Sequence, residues 1–118
     1  ISWGSMVRVC HDAAEMLARE DIGVEVVDLR TLNPLDRGTM LASVEKTGRA
    51  VVVHEAPRTN GFGGEIAALI GEHALLHLEA PVQRVAGFDV VFPLARNEKL
   101  YLPTRDRIAK AVRQALDF

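Results

Sequence analysis

Apolar residues of this chain occur either in short continuous runs or at positions spaced three or four residues apart. Strands are predicted at residues 1–3, 24–29, 51–53 and 82–86, and the unbroken β-branched run 51–53 predicts a strand buried on both faces. Helical spacing predicts helices that carry the apolar positions of residues 6–17, 41–44, 62–74 and 108–116. Strands and helices alternate, so we predict an α/β domain with a mainly parallel sheet of four strands and helices on both faces.

Residues 51–66, with the sequence VVVHEAPRTNGFGGEI, form the central stretch of the chain. Pro57 cannot donate to a sheet ladder, so the strand should end there, with His54 and Glu55 at the surface. The Asn-Gly pair that follows predicts a turn, and the later glycines allow close backbone approach. A helix is predicted from Phe62. The stretch therefore has the order strand, polar glycine-rich loop, helix.

Polar residues and glycines mark the ends of the predicted helices. Ser5, Asp36 and Thr104 stand where N-caps are expected, and Gly23 and Gly48 stand where two helices should stop. Residues 87–103 contain two prolines and are predicted to be irregular.

Ligand sites in open α/β sheets lie beyond the carboxyl ends of the strands. Ser5 follows the first predicted strand, and His54, Glu55 and Arg58 follow the central one. We therefore expect these four side chains to line the mouth of a crevice. The alternative is that His54 and Glu55 have only a structural role, as a polar rim that is hydrogen-bonded to loop amides and to Arg58.

Composition narrows the classes of protein that the chain can represent. Its 118 residues suffice for one domain, 1–118, with its own core, and the net charge of −2 favours neither nucleic acid nor an anionic membrane surface as a partner. The single cysteine, Cys10, excludes an internal disulfide and predicts a reducing compartment. No apolar run approaches the roughly 20 residues needed to span a bilayer. The chain opens inside a predicted strand without an initiator Met, so we expect a fragment of a longer protein.

Several chemical interpretations of single motifs are weak. The turn Gly61–Gly64 resembles a phosphate loop, but Ile66 replaces the third glycine and Glu65 would repel a phosphate. His54 and Glu55 are adjacent on a strand and point to opposite faces, which is unsuitable for an acid–base pair.

The sequence also gives little support for a metal site or for a catalytic cysteine. His73 and His77 are four residues apart on a predicted helix but have no third ligand nearby, so no metal site is predicted. Cys10 lies on the buried stripe of the first helix, which favours packing over nucleophilic catalysis.

Four stretches together carry a resemblance to a known family: VEVVDLRTLNPLD, VVVHEAPRTNGFGGEIAALI, APVQRVAGFD and EKLYLP followed by a final helix. In this order and spacing they resemble the C-terminal domain of the beta subunit of the thiamine-diphosphate-dependent decarboxylase component of 2-oxo acid dehydrogenase complexes, which is transketolase C-terminal domain-like. The motif HEAPRT resembles the corresponding segment of branched-chain or acetoin-type enzymes more than that of many pyruvate enzymes. The sequence departs from the family at residues 90–93, VVFP, where relatives often carry a Thr-Pro-rich turn.

The resemblance implies a three-layer α/β/α fold with an additional antiparallel edge strand upstream. The implied strand order is 24–29, 1–3, 51–53, 82–86. It also implies that the diphosphate of thiamine diphosphate and its Mg²⁺ are bound mainly by the alpha subunit, and that the glutamate that activates the aminopyrimidine lies in the N-terminal domain of the beta subunit. This domain alone should therefore bind no cofactor and be inactive. The residues that match the family's motif at the domain junction or crevice are Ser5, His54, Glu55, Arg58, Gly61, Phe62 and Gly63, none of them catalytic.

The parent enzyme implied by the resemblance decarboxylates a 2-oxo acid and reductively acylates a lipoyl group. Its implied partners are the alpha subunit, a second beta subunit and the lipoyl acyltransferase core, in the bacterial cytoplasm or the mitochondrial matrix. Two alternatives stay open: the C-terminal domain of another transketolase-like enzyme, such as a deoxyxylulose phosphate synthase, or a stand-alone regulatory α/β domain that binds a small anion.

Overall fold

The computed structural model describes residues 1–118. Its regular elements, in chain order, are α1 (Met6–Ala18), α2 (Arg37–Thr47), β1 (Val51–Pro57), α3 (Gly63–Ala74), a 3-10 turn (Leu75–His77), β2 (Gln83–Gly87), α4 (Glu98–Tyr101) and α5 (Arg105–Leu116). The predicted alternation of strands and helices in the central part of the chain is confirmed. No helix is both long and apolar enough to cross a membrane.

The sheet contains two parallel strands, β1 and β2, so the prediction of four strands is wrong. Residues 1–3 and 24–29 contribute only isolated parallel bridges, from Ser2 to Asp28 on one side and to Val53 on the other. Gly4 has a φ of 61° and turns the chain into α1 at once, which leaves a single residue of this segment paired on both sides. The four segments nevertheless lie side by side in the order that the resemblance implies: 24–29, 1–3, β1 and β2.

Three of the predicted helix ends are confirmed. Asp36 accepts a hydrogen bond from the Thr39 N–H at 3.0 Å, Gly48 ends α2 with a φ of 67°, and the Thr104 side chain caps α5. For α1, Ser5 occupies the N-cap position as predicted but does not cap the helix with its side chain, and the predicted stop at Gly23 is wrong. The helix ends at Ala18 because Asp21, rather than Gly23, takes the left-handed conformation, with a φ of 60°.

Two hydrophobic clusters lie against β1. Val52 belongs to the cluster built with α2 and α3, and Val53 belongs to the cluster built with α1 and α5. Successive strand residues point to opposite faces, so helices pack on both faces of this strand. Val52 is fully buried, and Cys10 lies in the second cluster as predicted.

The segment between β2 and α5 is largely irregular, as predicted, but contains the short helix α4. Its buried centre is Tyr101, whose ring meets Phe92 edge-on at 4.9 Å and Phe88 at 6.4 Å between centroids. The Arg107 guanidinium lies 4.8 Å over the Phe88 ring. The same segment leaves several apolar side chains in solvent: Val90, Val91, Leu94 and Leu100.

Candidate functional site

His54 is buried in the middle of the central stretch, although the sequence predicts it at the surface. Only 1% of the residue is exposed. The Trp3 ring stacks on the imidazole with a centroid distance of 5.3 Å and an interplanar angle of 6°. Phe62 in turn meets Trp3 edge-on at 5.7 Å. These two aromatic rings cover the position at which the strand was expected to reach water.

Two glycines of the loop make room for the imidazole ring. A Cβ atom added at Gly63 would lie 2.3 Å from Nε2 of His54, and one added at Gly61 would lie 2.5 Å from Cε1. Neither glycine has a positive φ, so close approach and not backbone conformation requires them. The sequence prediction of close approach at these glycines is confirmed, with the His54 side chain as the group approached.

The electrostatic setting of His54 favours the neutral ring. Burial, and then the positive charge of Arg84, lower the pKa of His54 below its ordinary value. Neither Nδ1 nor Nε2 has a hydrogen-bond partner. The expected bonds from this ring to loop amides and to Arg58 are therefore absent, because the ring packs between aromatic and glycine surfaces instead.

Glu55, the next residue, is exposed and has a different partner from the one expected. The Ser5 hydroxyl at the start of α1 donates to Oε1 of Glu55. A carboxylate beside the first turn of a helix is favoured by the helix dipole. Arg58, the expected partner, donates instead to the main-chain oxygen of Arg84 at 2.8 Å.

Arg58 and Thr59 are held against β2 and against Asp89, which follows it, by further hydrogen bonds. Arg84 donates back to the Arg58 main-chain oxygen at 3.4 Å. The Thr59 N–H and hydroxyl donate to the two Asp89 carboxylate oxygens at 2.8 and 2.7 Å. These bonds lower the pKa of the Asp89 carboxyl below its ordinary value. Hydrogen bonds to Arg84 on β2 and to Asp89 after β2 therefore both hold the loop.

The crevice at this edge of the sheet contains only part of the predicted set. A polar cavity of about 420 Å³ is lined by Ser5 and Glu55 together with residues of α1, α4 and the start of α5. His54 and Arg58 do not line it. Both signs of charge meet there, from Arg8 and Lys99 on one hand and Glu55 and Glu98 on the other. An anion approaching Ser5 would have to compete with the Glu55 carboxylate.

The arrangement offers little for chemistry on a substrate. The His54 ring has no access to solvent, and the neighbouring carboxylate is turned toward α1. No group of three or more His, Cys, Asp or Glu side chains is placed to hold a metal ion. The tight packing of Trp3, His54, Gly61, Phe62 and Gly63 therefore gives the His54 ring a packing role in this structure.

Sequence reasoning missed two side chains that organise this site. Trp3 covers the imidazole, and its position beside the predicted crevice was a usable signal because it is the only tryptophan in the chain. Asp89 holds the loop from 30 residues away, and no local pattern in the sequence marks that contact.

A known protein family and several known sequences match this chain over nearly its whole length. The family described as "Transketolase, C-terminal domain" matches residues 1–108. The chain is 52% identical over 118 residues to "Pyruvate dehydrogenase E1 component subunit beta" of Leifsonia xyli subsp. xyli, covering 100% of this chain and 35% of that protein. The protein of the same name from Staphylococcus epidermidis is 48% identical over 118 residues, covering 100% of this chain and 36% of its own length.

A solved structure shares the fold. The structure titled "Split gene transketolase, inactive beta4 tetramer" superposes with a TM-score of 0.82 at 34% sequence identity, covering 98% of this chain and 37% of that one. The chain thus spans roughly a third of the length of the relatives and of the solved structure that it matches.

Proposed function

Because the chain belongs to the transketolase C-terminal domain family, we propose that it is the C-terminal domain of the beta subunit of a 2-oxo acid dehydrogenase decarboxylase component. The observation that carries this proposal is the 52% identity over all 118 residues to a pyruvate dehydrogenase E1 beta subunit. The whole enzyme would decarboxylate a 2-oxo acid with thiamine diphosphate and reductively acylate a lipoyl group. HEAPRT favours a branched-chain or acetoin-type substrate, and the names of the relatives favour pyruvate.

The role of this domain in such an enzyme is assembly. Ser5, His54, Glu55, Arg58, Gly61, Phe62 and Gly63 would form the junction with the rest of the subunit. Two features support this role: the rings of Trp3 and Phe62 are only half-buried, and the loop beneath them is held by hydrogen bonds to Arg84 and Asp89. A rigid, partly apolar surface at the carboxyl edge of the sheet suits a fixed contact with another domain.

The segment between β2 and α5 supplies a second candidate contact surface. Val90 is 61% exposed, Val91 92% and Leu94 87%, beside the half-exposed ring of Phe92. Adjacent exposed apolar residues of this kind mark surfaces that other chains cover. We propose that this surface, the 88–94 loop, meets the alpha subunit or a second beta subunit, and that the lipoyl acyltransferase core binds the assembled component.

Thiamine diphosphate and its Mg²⁺ would be held outside these residues. The cofactor supplies the carbanion chemistry of decarboxylation. The glycine-rich turn at the start of α3 carries Glu65 in the first helical turn, where its charge opposes a diphosphate. No carboxylate cluster suitable for Mg²⁺ is present, so the residues of this chain do not fit the cofactor.

Calorimetric titration tests the cofactor assignment. The 118-residue chain alone should show no saturable heat with thiamine diphosphate and Mg²⁺, since no residues fit the diphosphate or its metal. A full-length beta subunit carrying this domain, mixed with its alpha subunit, should bind the cofactor and consume a 2-oxo acid. Micromolar binding by the 118 residues alone would contradict the proposal, as would failure of the assembled subunits to consume any 2-oxo acid.

A pair of matched surface substitutions tests the assembly role. Val91→Asp should weaken association of the full-length beta subunit with its partner subunits at least tenfold, because it places a charge in the centre of the 88–94 loop. Leu76→Asp is the control, since Leu76 is 96% exposed but lies before β2, at the opposite edge of the sheet. Sedimentation of equimolar subunits measures both. Equal association constants for the two variants would contradict the proposal.

A further inference from the structure

The loop between β1 and α3 contains an asparagine followed by a glycine, Asn60 and Gly61. Asn60 is exposed, and its side chain makes no hydrogen bond within the protein. Its φ of 59° is a left-handed conformation that asparagine adopts more readily than most residues. The Gly61 N–H donates no hydrogen bond either. The side-chain amide of Asn60 and the Gly61 nitrogen are therefore both free to react with each other.

The reaction open to these two groups is closure of a five-membered imide ring. The Gly61 nitrogen attacks Cγ of Asn60, the bond from Cγ to Nδ2 breaks, and the leaving nitrogen takes the Gly61 amide proton and departs as ammonia. Water then opens the ring. Cleavage of the bond between Cγ and the Gly61 nitrogen gives aspartate, and cleavage of the bond between the main-chain carbonyl carbon and that nitrogen gives isoaspartate. Glycine favours closure because no Cβ stands beside its nitrogen.

Only one of the three asparagines in the chain stands before a glycine. Asn33 precedes Pro34, whose nitrogen carries no hydrogen and cannot close the ring. Asn97 precedes Glu98, the first residue of α4, whose side chain crowds the attacking nitrogen. The three sites therefore form an internal comparison, in which ring closure is favoured at Asn60, hindered at Asn97 and excluded at Asn33.

The loop has no slack for the isoaspartate product, which routes the main chain through the former side chain and adds one methylene group between residues 60 and 61. On one side, Thr59 is held by two hydrogen bonds to Asp89 at 2.8 and 2.7 Å. On the other side, Gly61 packs so closely that an added Cβ would lie 2.5 Å from Cε1 of the buried His54 ring. A longer main chain between two held ends must displace one of them.

We propose that Asn60 is a site of spontaneous deamidation in the folded protein, and that its isoaspartate product breaks the bonds from Thr59 to Asp89. The exposed pair on Thr59 yields before the buried packing of Gly61 against His54, because water can replace its hydrogen bonds. The aspartate product keeps the normal main chain, so it leaves these bonds in place. This inference is independent of the assembly role proposed above.

Incubation of the folded protein at neutral pH, followed by peptide mass spectrometry, measures the reaction. Asn60 should lose ammonia at least tenfold faster than Asn97, and Asn33 should not react. In the isoaspartate form, hydrogen exchange at the Thr59 amide should be at least tenfold faster than in the parent protein, because the bond from this amide to Asp89 is lost.

Two substitutions at the same position provide matched controls. Asn60→Gly keeps the positive φ and cannot deamidate, so Thr59 exchange in this variant should not change on incubation. Freshly prepared Asn60→Asp carries the new charge on a main chain of normal length, and its Thr59 amide should exchange at the parental rate.

The opposite results would overturn the inference. Deamidation of Asn60 at the rate of Asn97, or only in urea, would show that the folded loop protects this side chain. Parental Thr59 exchange in the isoaspartate form would show that the loop accommodates the longer main chain. Equal acceleration of Thr59 exchange in Asn60→Asp and in the isoaspartate form would assign the effect to charge rather than to main-chain length.

Discussion

Gly63→Ala is expected to lower the free energy of unfolding by about 2 kcal/mol, and Gly63→Val by about 3 kcal/mol, through overpacking of a buried site. The physical reason is the His54 ring, whose Nε2 would lie 2.3 Å from the new Cβ. His54 cannot yield easily, because Trp3 stacks on the imidazole and Gly61 closes another side. Denaturant unfolding followed by circular dichroism measures the change.

Gly71→Ala is the matched control in the same helix. Outside the backbone of its own helix and its two chain neighbours, no atom lies within 4 Å of a Cβ added at Gly71, so this substitution should stabilise the protein by up to about 1 kcal/mol through helix propensity. A double-mutant cycle adds a second control: in a His54→Ala background, the cost of Gly63→Ala should vanish because the opposing ring is gone. Equal effects of Gly63→Ala and Gly71→Ala would show that the His54 contact is unimportant.

Acidification below pH 6.5 is expected to destabilise the protein through His54. Because the pKa of His54 is lowered in the folded state, the unfolded chain binds more protons on this residue between the two pKa values. Stability therefore rises with pH across that window, and it falls as pH drops from 6.5 toward the folded-state pKa. One proton corresponds to a slope of at most about 1.4 kcal/mol per pH unit.

His54→Phe isolates this contribution from the rest of the chain. The phenyl ring can still stack on Trp3 but cannot titrate, so the variant should lose the His54 part of the slope whatever its absolute stability. Measurements between pH 5.5 and 7.5 keep most of the contribution of Glu20, Glu25, Asp36 and Asp89, whose pKa values are lowered, below the window, and what remains is common to both proteins. The buried Ile1 amino group contributes a slope of the same sign, beginning from about pH 8, and it is common to both proteins. An unchanged slope in His54→Phe would contradict the prediction.

Local sequence patterns determined the longer helices and the caps of α2 and α5. Asp36 and Thr104 stand before apolar residues at helical spacing, and each side-chain oxygen accepts from the N–H group three residues further along the chain. The valine run at residues 51–53 likewise predicted an interior strand, because a segment buried on both faces has no polar position. Such features involve neighbours along the chain, so the sequence alone determines them.

Contacts between distant parts of the chain decided the site. His54 is buried because Trp3, 51 residues earlier, stacks on its ring, and Glu55 turns toward Ser5, 50 residues away, rather than to the nearby Arg58. Two of the predicted strands are reduced to bridges because Ser2 alone is positioned between Asp28 and Val53. The amino-acid sequence by itself therefore determined the α/β pattern, the caps of α2 and α5 and the family resemblance. The tertiary structure decided which polar groups are buried, paired or exposed, since packing over long sequence separations sets the solvation of each group.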